Sequence, residues 1–182
     1  MAHREQQEYC LSVKTRHPAF FINKTVLDVG SYDVNGNNRF LFENCVYTGI
    51  DVGPGPNVDI VTKGHEYNAD DESFDTIIST ECFEHDMYYE QTLRNILRML
   101  KKGGLFLFTC ATIGRGEHGT LRTTKGDAPP LNELGDWANY YKNLTEHDVL
   151  QAIDVSNSFS KHEFKVGTAT RDLYFYGIKR ND

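Results

Sequence analysis

Two short apolar runs near the start of the chain each end on a residue that restricts what can lie beside it. Thr25-Val26-Leu27-Asp28-Val29 runs into Gly30, and Val46-Tyr47-Thr48-Gly49-Ile50 runs into Asp51. A continuous apolar run suits a strand buried on both faces of a parallel sheet. Ending it at glycine lets the chain turn sharply and bring its backbone close to a ligand. An acid at the end of the next strand, about twenty residues on, is where α/β nucleotide folds grip ribose hydroxyls. The pair therefore points to an α/β fold that holds an adenosine-like cofactor.

The rest of the chain continues that rhythm. Residues 3–17 predict a helix with Tyr9, Leu11 and Val13, stopped by Pro18. The segment 36–44, with Phe40, Leu41 and Phe42, has room for two helical turns. Gly53-Pro54-Gly55-Pro56-Asn57 reads as a turn into a short third strand at 58–61, and 74–79 reads as a fourth strand. A helix is predicted over 86–101, where Leu93, Ile96, Leu97 and Leu100 share a face and Gly103-Gly104 form the stop. Leu105-Phe106-Leu107-Phe108 then supplies a central strand. Thr145-Glu146-His147-Asp148 carries a capping signal for another helix, and 159–166 and 172–178 read as an antiparallel pair at the sheet edge. The expected fold class is α/β, a single doubly wound, Rossmann-like, mostly parallel sheet with an antiparallel C-terminal strand pair.

The expected organisation is one domain over 1–182. It divides into an N-terminal helical segment (1–24), a cofactor-binding core (25–110), a substrate-covering insertion (111–144), and a C-terminal helix and strand pair (145–182). The insertion carries Pro129-Pro130, the single tryptophan Trp137, and the pair Tyr140-Tyr141. A connection of that length is usually functional or disordered, and its aromatics favour an ordered cover.

Composition removes several function classes. Among 182 residues, 26 acids stand against 19 bases, a net charge of −7, which disfavours a nucleic-acid partner because that affinity comes largely from neutralising phosphates. No apolar run approaches the ~20 residues of a membrane span, and Met1 to Gln7 lacks a signal-peptide core. Cys10, Cys45, Cys82 and Cys110 show no Cys-x-x-Cys spacing, so free, buried thiols and a cytoplasmic location are expected. The seven histidines show no ligand spacing, so no metal is expected. Nothing in the sequence sets an oligomeric state.

The cofactor follows from what is missing. A dinucleotide needs Gly-x-Gly-x-x-Gly at the first turn, yet counting from Gly30 the next two positions are Tyr32 and Asn35. No Gly-x-x-x-x-Gly-Lys-Ser/Thr loop is present for a nucleoside triphosphate. S-adenosylmethionine has no phosphates. It asks for one tight turn, an acid for the ribose diol, and polar groups for its amino-acid end, which Gly30, Asp51 and Asp28 offer.

In four ordered blocks the chain resembles the class I S-adenosylmethionine-dependent methyltransferases, particularly the small type 11 branch. The blocks are Val26-Leu27-Asp28-Val29-Gly30-Ser31, Tyr47-Thr48-Gly49-Ile50-Asp51, Ser73 to Ser79 running into Glu81-Cys82-Phe83-Glu84-His85, and Met99 to Phe106. The resemblance implies that Gly30 and Ser31 approach the methionine part, with Asp28 behind them organising the loop and amino group. It implies that Asp51 takes both ribose hydroxyls with Val52 alongside, and that the backbone at Thr80 and Glu81 lines the sulfonium side. Two departures accompany it. Tyr32, Asp33 and Asn35 replace a glycine-rich loop, and the usual adenine-binding acid is replaced by Lys63-Gly64-His65-Glu66, which leaves His65 as the candidate there.

The implied reaction is methyl transfer to a small-molecule acceptor, with a hydroxyl expected, on a sugar or nucleotide sugar. A hydroxyl acceptor asks for a base, and His118 in the insertion is the first candidate, His85 the second. Arg115 and Arg122 flank His118. They either face inward toward a phosphate or carboxylate or are solvated, and Tyr140 and Tyr141 either stack on the acceptor or pack the cover down. The alternatives are an atypical NAD-linked reductase and a noncatalytic S-adenosylmethionine-binding module.

Overall fold

A computed structural model describes residues 3–182. Among them the strands β1 (Thr25–Val29), β2 (Val46–Asp51), β3 (Ile60–Val61), β4 (Phe74–Thr80), β5 (Leu100–Ala111), β6 (Phe159–Gly167) and β7 (Asp172–Lys179) form one sheet in the order β3-β2-β1-β4-β5-β7-β6. The first five pair in parallel, and β7 runs antiparallel to both β5 and β6. The chain reverses its strand order beside β1, so the carboxyl ends of β1 and β4 open a crevice there, the usual ligand position in such sheets.

Both faces of the sheet are covered, which explains why its central strands are apolar throughout. On one face α1 (Arg4–Arg16) sets Tyr9, Cys10 and Val13 against Val26, Ile78, Leu105 and Leu107. On the other, α2 (Tyr89–Met99) and α3 (Glu146–Ala152) bury Leu93, Ile96, Met99 and Val149 against Leu27, Ile77, Phe106 and Phe108. The capping box of α3 is present: Thr145 Oγ1 accepts from Asp148 N, and Asp148 Oδ2 accepts from Thr145 N at 2.8 Å. A short α4 (Val155–Ser158) follows.

Several element boundaries differ from the sequence expectation, the third strand shrinking to Ile60–Val61 and the central one lengthening to Leu100–Ala111 among them. The long helix runs only over Tyr89–Met99, after a separate 3-10 turn at Phe83–His85. Gly103 and Gly104 are not its stop. They lie inside β5, where its register against β4 shifts between Phe74 and Thr76. A Cβ on Gly104 would come within 2.8 Å of Lys101 O and 2.9 Å of Asp75 O, and Gly103 has φ +69°, so the glycines serve an irregularity in the strand. The segment 36–44 holds only a 3-10 turn at Arg39–Leu41. All four cysteines are free, and Cys45 and Cys82 are half-buried rather than buried.

Candidate active site

The crevice at the ends of β1, β2 and β4 is the cleft in which most of the expected cofactor residues meet. Asp28, Gly30, Ser31, Asp51, Val52, Thr80 and Glu81 all line it. His65 does not. Its ring packs against Tyr88 at 4.4 Å and lies near Trp137, while its neighbours Thr62 and Gly64 form the wall.

Gly30 sits at φ +79°, and a Cβ there would come within 2.4 Å of Cys82 Sγ. The glycine is thus required by the thiol beneath the loop as well as by any ligand above it. Asp28 is buried at the end of β1. Its Oδ2 accepts from the Tyr47 hydroxyl at 2.5 Å, whereas Oδ1 has no partner among the described residues. Burial pushes its carboxyl up to about 7, against the opposing Tyr47 bond. Ser31 Oγ is likewise buried and unpartnered. Asp51 Oδ1 accepts from Val52 N at 2.7 Å and Oδ2 from Tyr32 N at 3.0 Å. These bonds aim the carboxylate and leave further lone pairs. Its pKa is raised by burial, which outweighs those backbone bonds.

Tyr32, the residue in place of a second glycine, lines the cleft and lays its ring on Gly55. A Cβ on Gly55 would meet its ring at 2.1 Å, so Gly55 is matched to this tyrosine. Two asparagines that sequence reasoning passed over, Asn37 and Asn38, also line the cleft, and Asn38 Nδ2 donates to Thr80 Oγ1 at 2.8 Å.

The insertion forms the opposite wall through Asp127, Ala128, Pro130, Leu131 and Trp137. It is pinned to the core at the Phe83–His85 turn. Trp137 Nε1 donates to His85 O, and Lys142 N donates to Glu84 O at 2.9 Å. Its far end rests on the turn after β2, where Pro130 lies 2.9 Å from where a Gly53 Cβ would be. Which residues of the expected cover face the cleft could not be read from the sequence, because they are set by contacts spanning tens of residues.

The expected catalytic and acceptor residues fare differently. His85 lines the cleft, but burial, reinforced by the neighbouring His118, pushes its pKa down to about 3. His118 lies behind it, outside the cleft lining, with its ring 5.1 Å from that of His85 and its pKa lowered by burial. Tyr141 packs against both rings and donates to Gly116 O at 3.2 Å. Tyr140 is half-buried and does not line the cleft. Arg115 is committed to Thr170 O at 2.6 Å and Asp172 at 3.2 Å, and Arg122 to Glu117 Oε1 at 2.9 Å. Of the two alternatives the sequence left open for Arg115 and Arg122, the inward-facing one is not what the structure has: neither lines the cleft, whose lining contains acids, Glu81, Asp86 and Asp127 among them, and no lysine or arginine.

Glu81 stands at the cleft floor with φ +52°. Its Oε1 accepts from Thr109 at 2.9 Å, its Oε2 lies 3.8 Å from His3 Nε2, and burial pushes its carboxyl up to about 7. His3 Nε2 is also 2.9 Å from Asp172 Oδ2. No helix among the described residues is long and apolar enough to cross a membrane.

Residues 1–166 match the family described as a methyltransferase domain. No curated relative matches the sequence. Among solved structures, the fold is similar to phosphoethanolamine N-methyltransferase 2 of Haemonchus contortus, solved with phosphomonomethylethanolamine and S-adenosylhomocysteine, at TM-score 0.66 and 16% identity. That match covers 95% of this chain and 52% of the other, so the chain spans about half the length of that enzyme. It is also similar to the 1,6-didemethyltoxoflavin-N1-methyltransferase of Burkholderia thailandensis, solved with 1,6-didemethyltoxoflavin and S-adenosylhomocysteine, at TM-score 0.59 and 12% identity, covering 99% and 92%. A third, the YcgJ protein of Bacillus subtilis, matches at TM-score 0.62 and 14% identity over 99% of this chain and all of that one (100%). At these identities the likeness is one of fold.

Proposed function

The chain belongs to the methyltransferase domain family, and from that premise we propose that its cleft binds S-adenosylmethionine and transfers the methyl group to a small acceptor beneath the Trp137 wall. The observation that carries this reading is the set of polar groups left open around Gly30. Asp28 Oδ1 and Ser31 Oγ are buried without partners, and the Asp51 carboxylate is held in place by two backbone N–H groups. Buried polar atoms without partners are uncommon, and these fit the amino-acid end of the cofactor as Asp51 fits its ribose diol. Two of the solved neighbours hold S-adenosylhomocysteine, the demethylated cofactor, which supports the same assignment.

The bound cofactor supplies a methyl group already activated on a sulfonium. The protein's task is to align it with the acceptor, an effect worth up to ~7–11 kcal/mol. In this reading Gly30 and Ser31 meet the methionine end, with Asp28 organising them. Asp51 and Val52 hold the ribose, and Thr80 and Glu81 border the sulfonium. The insertion, through Trp137 and Leu131, keeps water from the acceptor.

Histidine general-base catalysis drops out of the reading. A group held near 3 has little proton affinity at neutral pH, and His118 does not line the cleft. The acceptor also narrows. A nucleotide sugar or other anion would face acids and find no cation on the lining. An uncharged hydroxyl fits that wall, and an amine, cationic before it loses its proton, fits it better. The Haemonchus and Burkholderia enzymes are by name N-methyltransferases, which agrees with the amine.

Calorimetric titration with S-adenosylmethionine and with NADH tests the cofactor, and binding of NADH alone would overturn the assignment in favour of the reductase. Methyl transfer from labelled cofactor to a panel of polyols, small amines and phosphate esters tests the acceptor. Turnover restricted to phosphate esters would refute the acidic-wall argument. Failure with every acceptor alongside tight cofactor binding would favour the noncatalytic binding module.

A further inference from the structure

The strongest cluster of unused chemistry lies behind the cleft wall. Glu84, His85 and His118 each offer a ligand atom, and these atoms all lie within 4.8 Å of one another. Glu84 is fully buried, and neither of its carboxylate oxygens has a partner among the described residues. His85 Nδ1 and His118 Nε2 are buried and unpartnered in the same way. Four orphaned polar atoms on three neighbouring side chains are a large desolvation cost with no visible return.

The hydrogen bond on the far side of His118 sharpens the point. Its Nδ1 lies 3.1 Å from Gly116 O. A carbonyl oxygen only accepts, so Nδ1 carries the hydrogen and Nε2 presents a bare lone pair toward the cluster. A backbone carbonyl that fixes the tautomer of an imidazole is the usual outer support of a metal-binding histidine. Gly116 O is itself held by the Tyr141 hydroxyl, whose ring packs on both histidines.

The neighbouring acidic group differs. Among His3, Glu81 and Asp172, the histidine already bridges the carboxylates, at 2.9 Å from Asp172 and 3.8 Å from Glu81, and Arg115 adds a second cation on Asp172. At Glu84 no Lys, Arg or protonated bridge among the described residues fills the centre.

We propose that Glu84, His85 and His118 form a binding site for one divalent transition-metal ion. Two imidazoles and one carboxylate are a borderline-soft donor set that suits zinc, iron(II), cobalt(II) or manganese(II) better than calcium. Three protein ligands leave coordination positions open for water or a ligand oxygen or nitrogen. His85 belongs to this cluster and also to the cleft wall, so the ion lies next to the proposed transfer site and ties the insertion, through His118, to the core. The site does not depend on the methyl-transfer reading, because it rests on this cluster alone.

The test uses the full chain, stripped with chelator and titrated with zinc chloride or cobalt chloride alone. Bound metal is counted after dialysis, and the visible absorption of the cobalt form is recorded. The expected result is one ion per chain, with affinity weakened at least tenfold in both Glu84→Gln and His118→Ala and unchanged in His147→Ala. His118 lies on a loop, so its variant keeps the test open should the buried Glu84 variant not fold. No stoichiometric binding to the wild-type chain, or equal affinity in wild type and His118→Ala, would overturn the proposal.

Discussion

Gly30 and Asp51 make separate demands that single substitutions can measure. At Gly30 the left-handed backbone acts together with Cys82 Sγ, which lies 2.4 Å from where a Cβ would stand. Gly30→Ala should therefore destabilise the protein by ~1–3 kcal/mol, read from chemical denaturation. Cys82→Gly in that background should recover the steric part and leave the backbone part. Full recovery would show that φ costs nothing there. Asp51→Ala should weaken S-adenosylmethionine binding by ~1.5–3 kcal/mol, the range for hydrogen bonds to a charged group. Unchanged affinity in calorimetry would remove Asp51 from the site. These residues were legible in the sequence because their constraint is local, a strand end and the turn directly after it. His65 was misplaced for the opposite reason: what positions its ring is Tyr88 and Trp137, far along the chain.

At the scale of elements, the insertion depends on a few long-range bonds. Trp137→Phe keeps most of the aromatic bulk but leaves His85 O without the indole donor. An unsatisfied buried acceptor costs ~1–3 kcal/mol, so the insertion should open more often. Hydrogen exchange in 121–142 should speed up while β5 and β7 remain protected, and uniform exchange would show that the cover does not move as a unit. The strands were readable from their apolar runs, and α3 from its capping box. The end of α2 was not, because the apolar spacing over 93–100 continues past Met99 into β5. Gly103-Gly104 carried the signature of a helix stop, yet Gly104 answers to the approach of Asp75 O across the sheet and Gly103 to its φ of +69°. Helical periodicity reports which face is buried. It does not report where a neighbouring strand forces the chain to change course.

Across the whole molecule, two sets of acids act on stability in opposite directions. Exposed or half-exposed acids such as Asp59, Asp75 and Asp148 have lowered pKa values, because hydrogen bonds and cations outweigh what burial they have. Their contribution is present above the ordinary carboxylate range and is lost as pH falls through their folded values. Asp28 and Asp51 at the cleft are raised by burial, Asp28 to about 7. Between the unfolded value near ~4 and 7 the folded state holds the Asp28 proton and the unfolded state does not, so stability declines as pH rises through that window. The ligand-free protein should then melt at a higher temperature near pH ~5 than near pH ~8, and Asp28→Asn should flatten that slope. A cationic cofactor against Asp28 favours the carboxylate, so binding near pH ~7 should release a proton. Calorimetry in buffers of different ionisation enthalpy measures that release directly. An absence of buffer dependence near neutral pH would mean that Asp28 does not face the positive end of the ligand, and the placement of the methionine moiety over Gly30 would fall with it.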